Sequence, residues 1–261
     1  MDSKRYWAER QAATQAKLTS KNIKATEKQL TEYYKRSMDY CINQFEDTYF
    51  KLQRTVAAGK EPTPADLYKL DKYWKMREAV EVELTKLGYK QYGFLNDMFV
   101  AQYKDVWKSI ALPSQIHYSK LDNKAVQQLI NQIWCADGKS WSERVWRNTE
   151  ILRNSLNEGL IYIISTGGSP SDLKKHLMQS FSVSFNRADS LVRTELSHIQ
   201  TQAARDRYQS YGITEVEVLA DEDERRCEVC GKLHGTRYPI NAQMPIPAHP
   251  KCRCTIIPVV E

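Results

Sequence analysis

The sequence is short of glycine and proline. Ten glycines and nine prolines in 261 residues are too few for the many tight turns of a sandwich or barrel, and their scarcity points to much helix. Long apolar runs are missing too. No window approaches the roughly 18 apolar residues that a membrane span needs, so no membrane partner is expected. The stretch from Met1 to Ser20 is polar and charged, without the apolar segment of a signal peptide. Six cysteines are too few for a disulfide-dense scaffold. A glycine-rich phosphate loop, Gly-x-Ser-x-Gly and His-Glu-x2-His are all absent, and the carboxylates form no recognisable catalytic pair. No catalytic residue is assigned, and the expectation is a protein that is not an enzyme.

What is present is a chain of net charge +6 with 41% hydrophobic and 10% aromatic residues, which excludes a wholly disordered protein. Its apolar residues keep helical time. Leu30, Tyr34, Met38, Cys41, Phe45 and Leu52 form one stripe, and nothing breaks the chain before Gly59. Thr63-Pro64 opens a second helix with Asp66 nearby, whose apolar side runs from Leu67 to Leu87, with Gly88 as its expected end. A third helical piece covers about Tyr92 to Ile110. Pro113 and Ser119–Lys124 form a connector, followed by a short helix from Ala125 to Trp134. Trp141, Val145, Thr149, Leu152, Leu156, Leu160 and Ile163 mark the next helix. Thr166-Gly-Gly-Ser-Pro170 stops it, and Ser169-Pro170 caps a short helix through Leu173, Leu177 and Phe181. A separate helix then carries Ala188, Val192, Leu196, Ile199 and Ala203, ending at Tyr211-Gly212. There the period changes. Val216, Val218 and Ala220 alternate as in a strand, and Thr255–Val260 forms a second one, with Pro258 making it an edge.

Between the two strands lies the densest chemistry. Cys227-x2-Cys230 is followed, after a gap of 18 residues, by His249-x2-Cys252-x-Cys254. Zinc takes four soft or borderline ligands in a tetrahedron, and a Cys-x2-Cys knuckle supplies two of them from one turn. Three readings stay open at this level. One is a structural zinc site using Cys227, Cys230 and two of His249, Cys252 and Cys254. Another is a set of free thiols in a turn-rich tail. The third is a redox or catalytic cysteine. Cys41 and Cys135 stand alone and read as buried thiols.

The residues also carry a resemblance. Val192-Arg-Thr-Glu195 in a helix, the downstream Tyr208 and Gly212, Asp223, the Cys-x2-Cys pair, Leu233-His-Gly235 and the closing Pro247-Ala-His-Pro-Lys-Cys-Arg-Cys254 resemble the Mu F-like minor head proteins of tailed bacteriophages. The resemblance spans about residues 120–258. It departs at Leu219–Arg226, where the family usually has an aromatic residue and a shorter link. The resemblance implies a low-copy minor capsid protein of head morphogenesis. Such a protein joins the procapsid through the portal, lies in the capsid interior of the virion and is in the host cytoplasm during assembly. Its implied partners are the portal protein, scaffold or major capsid protein, and double-stranded DNA.

Two further groups have chemistry that admits more than one reading. Residues 1–36 hold nine basic against four acidic side chains. Arg5, Arg10, Lys17, Lys21, Lys24 and Lys28 form a candidate DNA-binding face, against the plainer reading of a solvated helix. Glu195 and His198 sit beside an apolar face with Arg193, and a structural polar network of the three, in which an arginine neutralises Glu195, is expected. A non-specific DNA-binding protein and a metal-dependent hydrolase remain as alternatives. The fold class expected is α+β, predominantly α. A helical arm would occupy 1–118, and a domain over 119–261 would end in a small β-element closed by the Cys/His cluster.

Overall fold

The computed structural model describes residues 3–56, 60–111, 121–221, 223, 224 and 226–260. The break expected at Gly59 and the connector at Pro113 lie outside them. In chain order the elements are α1 (Ser3–Thr55), α2 (Pro64–Lys69), α3 (Asp71–Ser109), α4 (Asn123–Ile130), α5 (Trp141–Ser165), α6 (Pro170–Ser210), β1 (Glu215–Leu219), α7 (Glu228–Leu233), β2 (Arg237–Pro239) and β3 (Thr255–Pro258). The fold is α+β and predominantly helical, with one small antiparallel sheet near the C-terminus.

Helix starts follow the local chemistry. Thr63 and Asp66 form a reciprocal capping box with Pro64 in the first turn of α2. Ser169 and Asp172 make the same exchange at the start of α6: Asp172 N–H donates to Ser169 Oγ, and Ser169 N–H donates to the Asp172 carboxylate. Gly212, at φ +78°, takes the left-handed turn after α6.

Three expectations are corrected. Gly88 does not end a helix; α3 runs straight through it. A Cβ at Gly88 would fall 2.4 Å from the Trp146 ring, so this glycine permits close packing of α3 on α5. The two helices expected on either side of residue 185 are one, α6. The apolar stripe lapses between Phe181 and Ala188 because Ser184 occupies the stripe position, yet Ser184 is buried and hydrogen-bonded. The sheet has a third strand, β2, too short and too polar to be read from alternation. The strand order is β2-β1-β3, with Val216 opposite Tyr238 on one side and Val218 opposite Ile256 on the other. Strand β3, carrying Pro258, is an edge, as expected.

The chain forms two compact units, each assembled from separated segments, so they do not follow a linear boundary at 118/119. One comprises Lys28–Phe94 and Ser142–Ala188, and its described elements are all helices. Its centre holds Leu30, Phe45, Leu84, Leu156 and Phe181, with Tyr34 as a polar hub. The Tyr34 hydroxyl accepts from Asn148 Nδ2 at 3.1 Å and lies 3.3 Å from Gln91 Oε1 and 3.2 Å from Ser184 Oγ. Burial pushes its pKa up to about 12, so it stays a neutral donor.

The other unit comprises Met1–Glu27, Leu95–Trp141 and Asp189–Glu261. Ala8 and Ala12 of α1 pack on Ile257 of β3; small side chains let the helix approach the sheet. A directional chain of amides and hydroxyls crosses this core. Asn22 donates to Gln102, Gln102 to Thr19, Thr19 to Gln200, and Gln200 to Thr255, linking α1, α3, α6 and β3. Nearby, Trp134 Nε1 donates to Glu195 at 3.0 Å, and its ring stacks on His198 with centroids 4.1 Å apart.

Two predictions follow from this packing. Gly88→Ala destabilises by about 1–3 kcal/mol through overpacking on Trp146, despite alanine's better helix propensity. Gly93→Ala, at an exposed α3 position with nothing within 4 Å of the added Cβ, stabilises by about 0.5–1 kcal/mol. Urea titrations of the two variants check the opposite signs. His198 supplies the other prediction: burial first, and Arg205 second, pull its imidazole down to about 4. The folded state therefore holds it neutral while an unfolded imidazole, near 6.5, takes up a proton. This contribution is complete above pH 6.5 and declines as the pH falls through the window from about 6.5 to 4, by about 3 kcal/mol. His198→Phe, which keeps a ring against Trp134, should flatten the pH dependence of melting in that window.

Candidate metal centre

The knuckle is built by α7. Cys227 is the N-cap of this helix, and its sulfur accepts the N–H of Cys230 at 3.3 Å. That backbone hydrogen bond pulls the Cys227 thiol pKa down, as befits a sulfur that must become a thiolate to bind metal. Gly235, at φ +76°, turns the chain into β2. The second arm is a tight turn in which Cys252 N–H donates to the His249 carbonyl, with Lys251 in the left-handed region at φ +62°.

The two arms meet. Cys227, Cys230 and His249 form one group, and Cys230, Cys252 and Cys254 another, with the ligand atoms of each within 4.8 Å of one another. His249 Nε2 lies 3.2 Å from Cys227 Sγ and 3.1 Å from Cys230 Sγ, and Cys230 Sγ lies 3.7 Å from Cys252 Sγ. That last distance matches the edge of a tetrahedron with metal–sulfur bonds of about 2.3 Å, roughly 3.8 Å. His249 Nδ1 is 2.9 Å from the Pro250 carbonyl, which turns Nε2 toward the sulfurs and raises the ring pKa. Burial raises the Cys230 thiol to about 12. The Cys252 thiol is pulled down to about 5, chiefly by a hydrogen bond from Cys254, whose own thiol is pushed up in return. Sulfur and imidazole donors on this scale fit a zinc-type cation and not a hard oxygen-seeking one.

The arm with Cys252 is pinned to α6. Lys251 N–H donates to Thr194 Oγ1 at 3.0 Å, and Lys251 Nζ reaches Asp189 at 2.9 Å. Arg253, between the last two cysteines, pairs with Asp221 at 2.9 Å and with Asp223. The acidic stretch that departs from the family pattern therefore clamps the cysteine arm; Glu222 and Arg225 lie outside the described residues. Sequence reading missed this clamp and Thr194's role. The Asp/Arg charge pattern was visible, but its pairing was not.

The remaining expected residues divide differently. Arg193 does not join Glu195 and His198. It pairs with Asp189 at 2.7 Å and Glu27 at 3.0 Å, because its side chain leaves α6 toward α1, whereas Glu195 and His198 meet Trp134. Of the basic N-terminal residues, Arg5 is held by Glu9 and the buried Glu217, and Arg10 lies over the Trp7 ring. Lys17 and Lys24 line a groove beside His249 and Cys252; Lys21 and Lys28 are exposed. Cys41 is buried and Cys135 half-buried.

Residues 154–257 match the family described as Phage Mu protein F like protein. The matched segment begins within α5 and takes in α6, all three strands and both arms of the cysteine cluster. No curated protein matches the chain, and no solved structure does. Over residues 154–257, the chain is similar to the Phage Mu protein F like family.

Proposed function

We propose that the protein acts in head morphogenesis of a tailed bacteriophage, as a low-copy minor component that joins the procapsid through the portal and lies in the capsid interior. The observation that carries this reading is the family match over 154–257, which falls on the segment whose cysteine arms close onto the sheet. In this reading the portal, together with scaffold or major capsid protein, is the assembly partner, and the role is structural, not catalytic. The carboxylates that share a groove with His249 and Cys252 support a structural role. Asp189 and Glu27 are held by Arg193, and Asp221 by Arg253, so each is engaged by a cation instead of being poised as a base.

Within that role, the cluster holds zinc through Cys227, Cys230, His249 and Cys252, and Cys254 donates to Cys252. The metal joins the segment between β1 and β2 to the segment entering β3. A small three-stranded sheet has little core of its own, so the energy of metal binding becomes folding energy here.

Two measurements test the proposal. Purified protein should carry one equivalent of zinc. Cys227→Ser should lose it together with about 4 kcal/mol or more of stability, while Cys254→Ser keeps the metal. Wild type that is metal-free and melts unchanged in chelator overturns the zinc reading. For assembly, the protein should cosediment with proheads that contain portal and be missing from those without it. Equal amounts in both would reject portal-mediated entry.

A further inference from the structure

The start of α3, in the helical unit, carries a surface cluster of aromatic rings around one arginine. Arg77 follows Tyr73 by four residues and Trp74 by three, and helical side chains point back toward the N-terminus. Its guanidinium accordingly lies over both rings, 5.8 Å from the Tyr73 centroid and 5.5 Å from that of Trp74. Tyr68 of α2 completes the group, its ring 5.6 Å from Tyr73 and 6.3 Å from Trp74. Trp74 Nε1 donates to the Tyr68 carbonyl at 3.0 Å, which fixes the indole. Tyr73 is buried and anchors the cluster, whereas Tyr68 and Trp74 are 44% and 48% exposed. Arg77 is exposed as well and has no ion-pair partner among the described residues.

We infer that this cluster docks an acidic segment of a partner protein, in which a carboxylate is neighboured by an aliphatic or aromatic side chain. The carboxylate goes to Arg77. An arginine held flat against two rings has its fork already oriented, so less side-chain entropy is lost when it engages both oxygens. The apolar side chain goes to the exposed parts of Trp74 and Tyr68, which aromatic residues offer at little ordering cost. Trp, Tyr and Arg are the residue types on which protein interfaces concentrate their energy. Charge selects the sign of the partner. Residues 51–78 hold seven basic and four acidic side chains. Two of the acids are already engaged, Asp66 in the capping box with Thr63 and Asp71 by Lys75. A second copy of the chain would set this basic region against itself, and like charges facing across a symmetric contact cost free energy. Single-stranded nucleic acid fits less well. Successive bases need open ring faces, and here Arg77 lies over Tyr73 and Trp74 while the Tyr68 and Trp74 planes are tilted by 32°.

The inference does not rest on head assembly. It is read on purified full-length protein, so its failure leaves the prohead experiment untouched. The probe is a randomised peptide library selected on the wild-type chain, with the recovered peptides synthesised and titrated by fluorescence anisotropy. Recovered sequences should carry Asp or Glu next to Leu, Ile, Phe or Trp. Arg77→Gln and Trp74→Ala should each weaken their binding about tenfold. Arg77→Lys, an exposed change that keeps the charge but not the planar fork, should melt like wild type and still weaken binding several-fold. Lys86→Gln with Lys90→Gln removes two charges from exposed positions further along α3 and should change affinity less than twofold. A consensus without acidic residues, or peptides that bind Trp74→Ala as tightly as wild type, would overturn the inference. So would self-association of the wild type that Trp74→Ala abolishes, which would assign the cluster to a second copy, or tighter retention of oligothymidylate than of any recovered peptide.

Discussion

The polar relay through Gln102, Thr19, Gln200 and Thr255 is the constraint on which the C-terminal region depends. Each of its members is at least nine-tenths buried, and each hydrogen bond donates in the same direction along the chain. A buried amide or hydroxyl left without its partner costs about 1–3 kcal/mol. Every link therefore fixes the rotamer of the next, and the whole arrangement admits one register of α1, α3, α6 and β3. Its last member, Thr255, directly follows Cys254. The exit of the cysteine arm is thus set by helices distant in sequence, before any cation is considered.

Two further attachments fix the same arm from its outer side. Thr194 receives the N–H of Lys251, and Asp221 and Asp223 hold Arg253. The left-handed Lys251 would by itself cost about 1 kcal/mol for a residue with a Cβ; its side-chain ion pair to Asp189 and its backbone bond to Thr194 hold it there. This gives physical content to the Arg-Thr-Glu run in α6. The three residues serve three separate jobs: Arg193 bridges to α1, Thr194 docks the arm, and Glu195 anchors Trp134. A metal held by the cysteine and histidine side chains would close a site whose arms are already placed.

Much of this was legible in sequence, and the exceptions share a cause. The knuckle, the His-x2-Cys-x-Cys arm, the capped helix starts, β1 and β3 all announce themselves through spacing or turn chemistry that depends on neighbours in the chain. Buried polar residues do not. Gln102, Gln200 and Ser184 read as surface positions on a helical wheel, so the relay stayed invisible and α6 was divided in two. Gly88 failed for a related reason: a glycine that ends a helix and one that admits a tryptophan look alike until the neighbouring helix is in place. The basic stretch from Arg5 to Lys28 read as one face, but its members do different things. Arg5 neutralises the buried Glu217, while Lys17 and Lys24 face a groove also lined by α6 and the cysteine arm, both distant in the chain.

Residues 154–257 contain the whole cysteine cluster and all of the sheet but Pro258, yet the compact unit that holds the cluster and sheet also draws on Met1–Glu27 and Leu95–Trp141. Gln200 relies on Thr19, Ile257 relies on Ala8 and Ala12, and His198 relies on Trp134. Taken alone, the matched segment would expose Ile257 and leave a buried amide unsatisfied. The N-terminal helix is therefore structural material for the C-terminal sheet as much as an arm. Any partner that pulls on the first 27 residues also acts on the helix packed against β3.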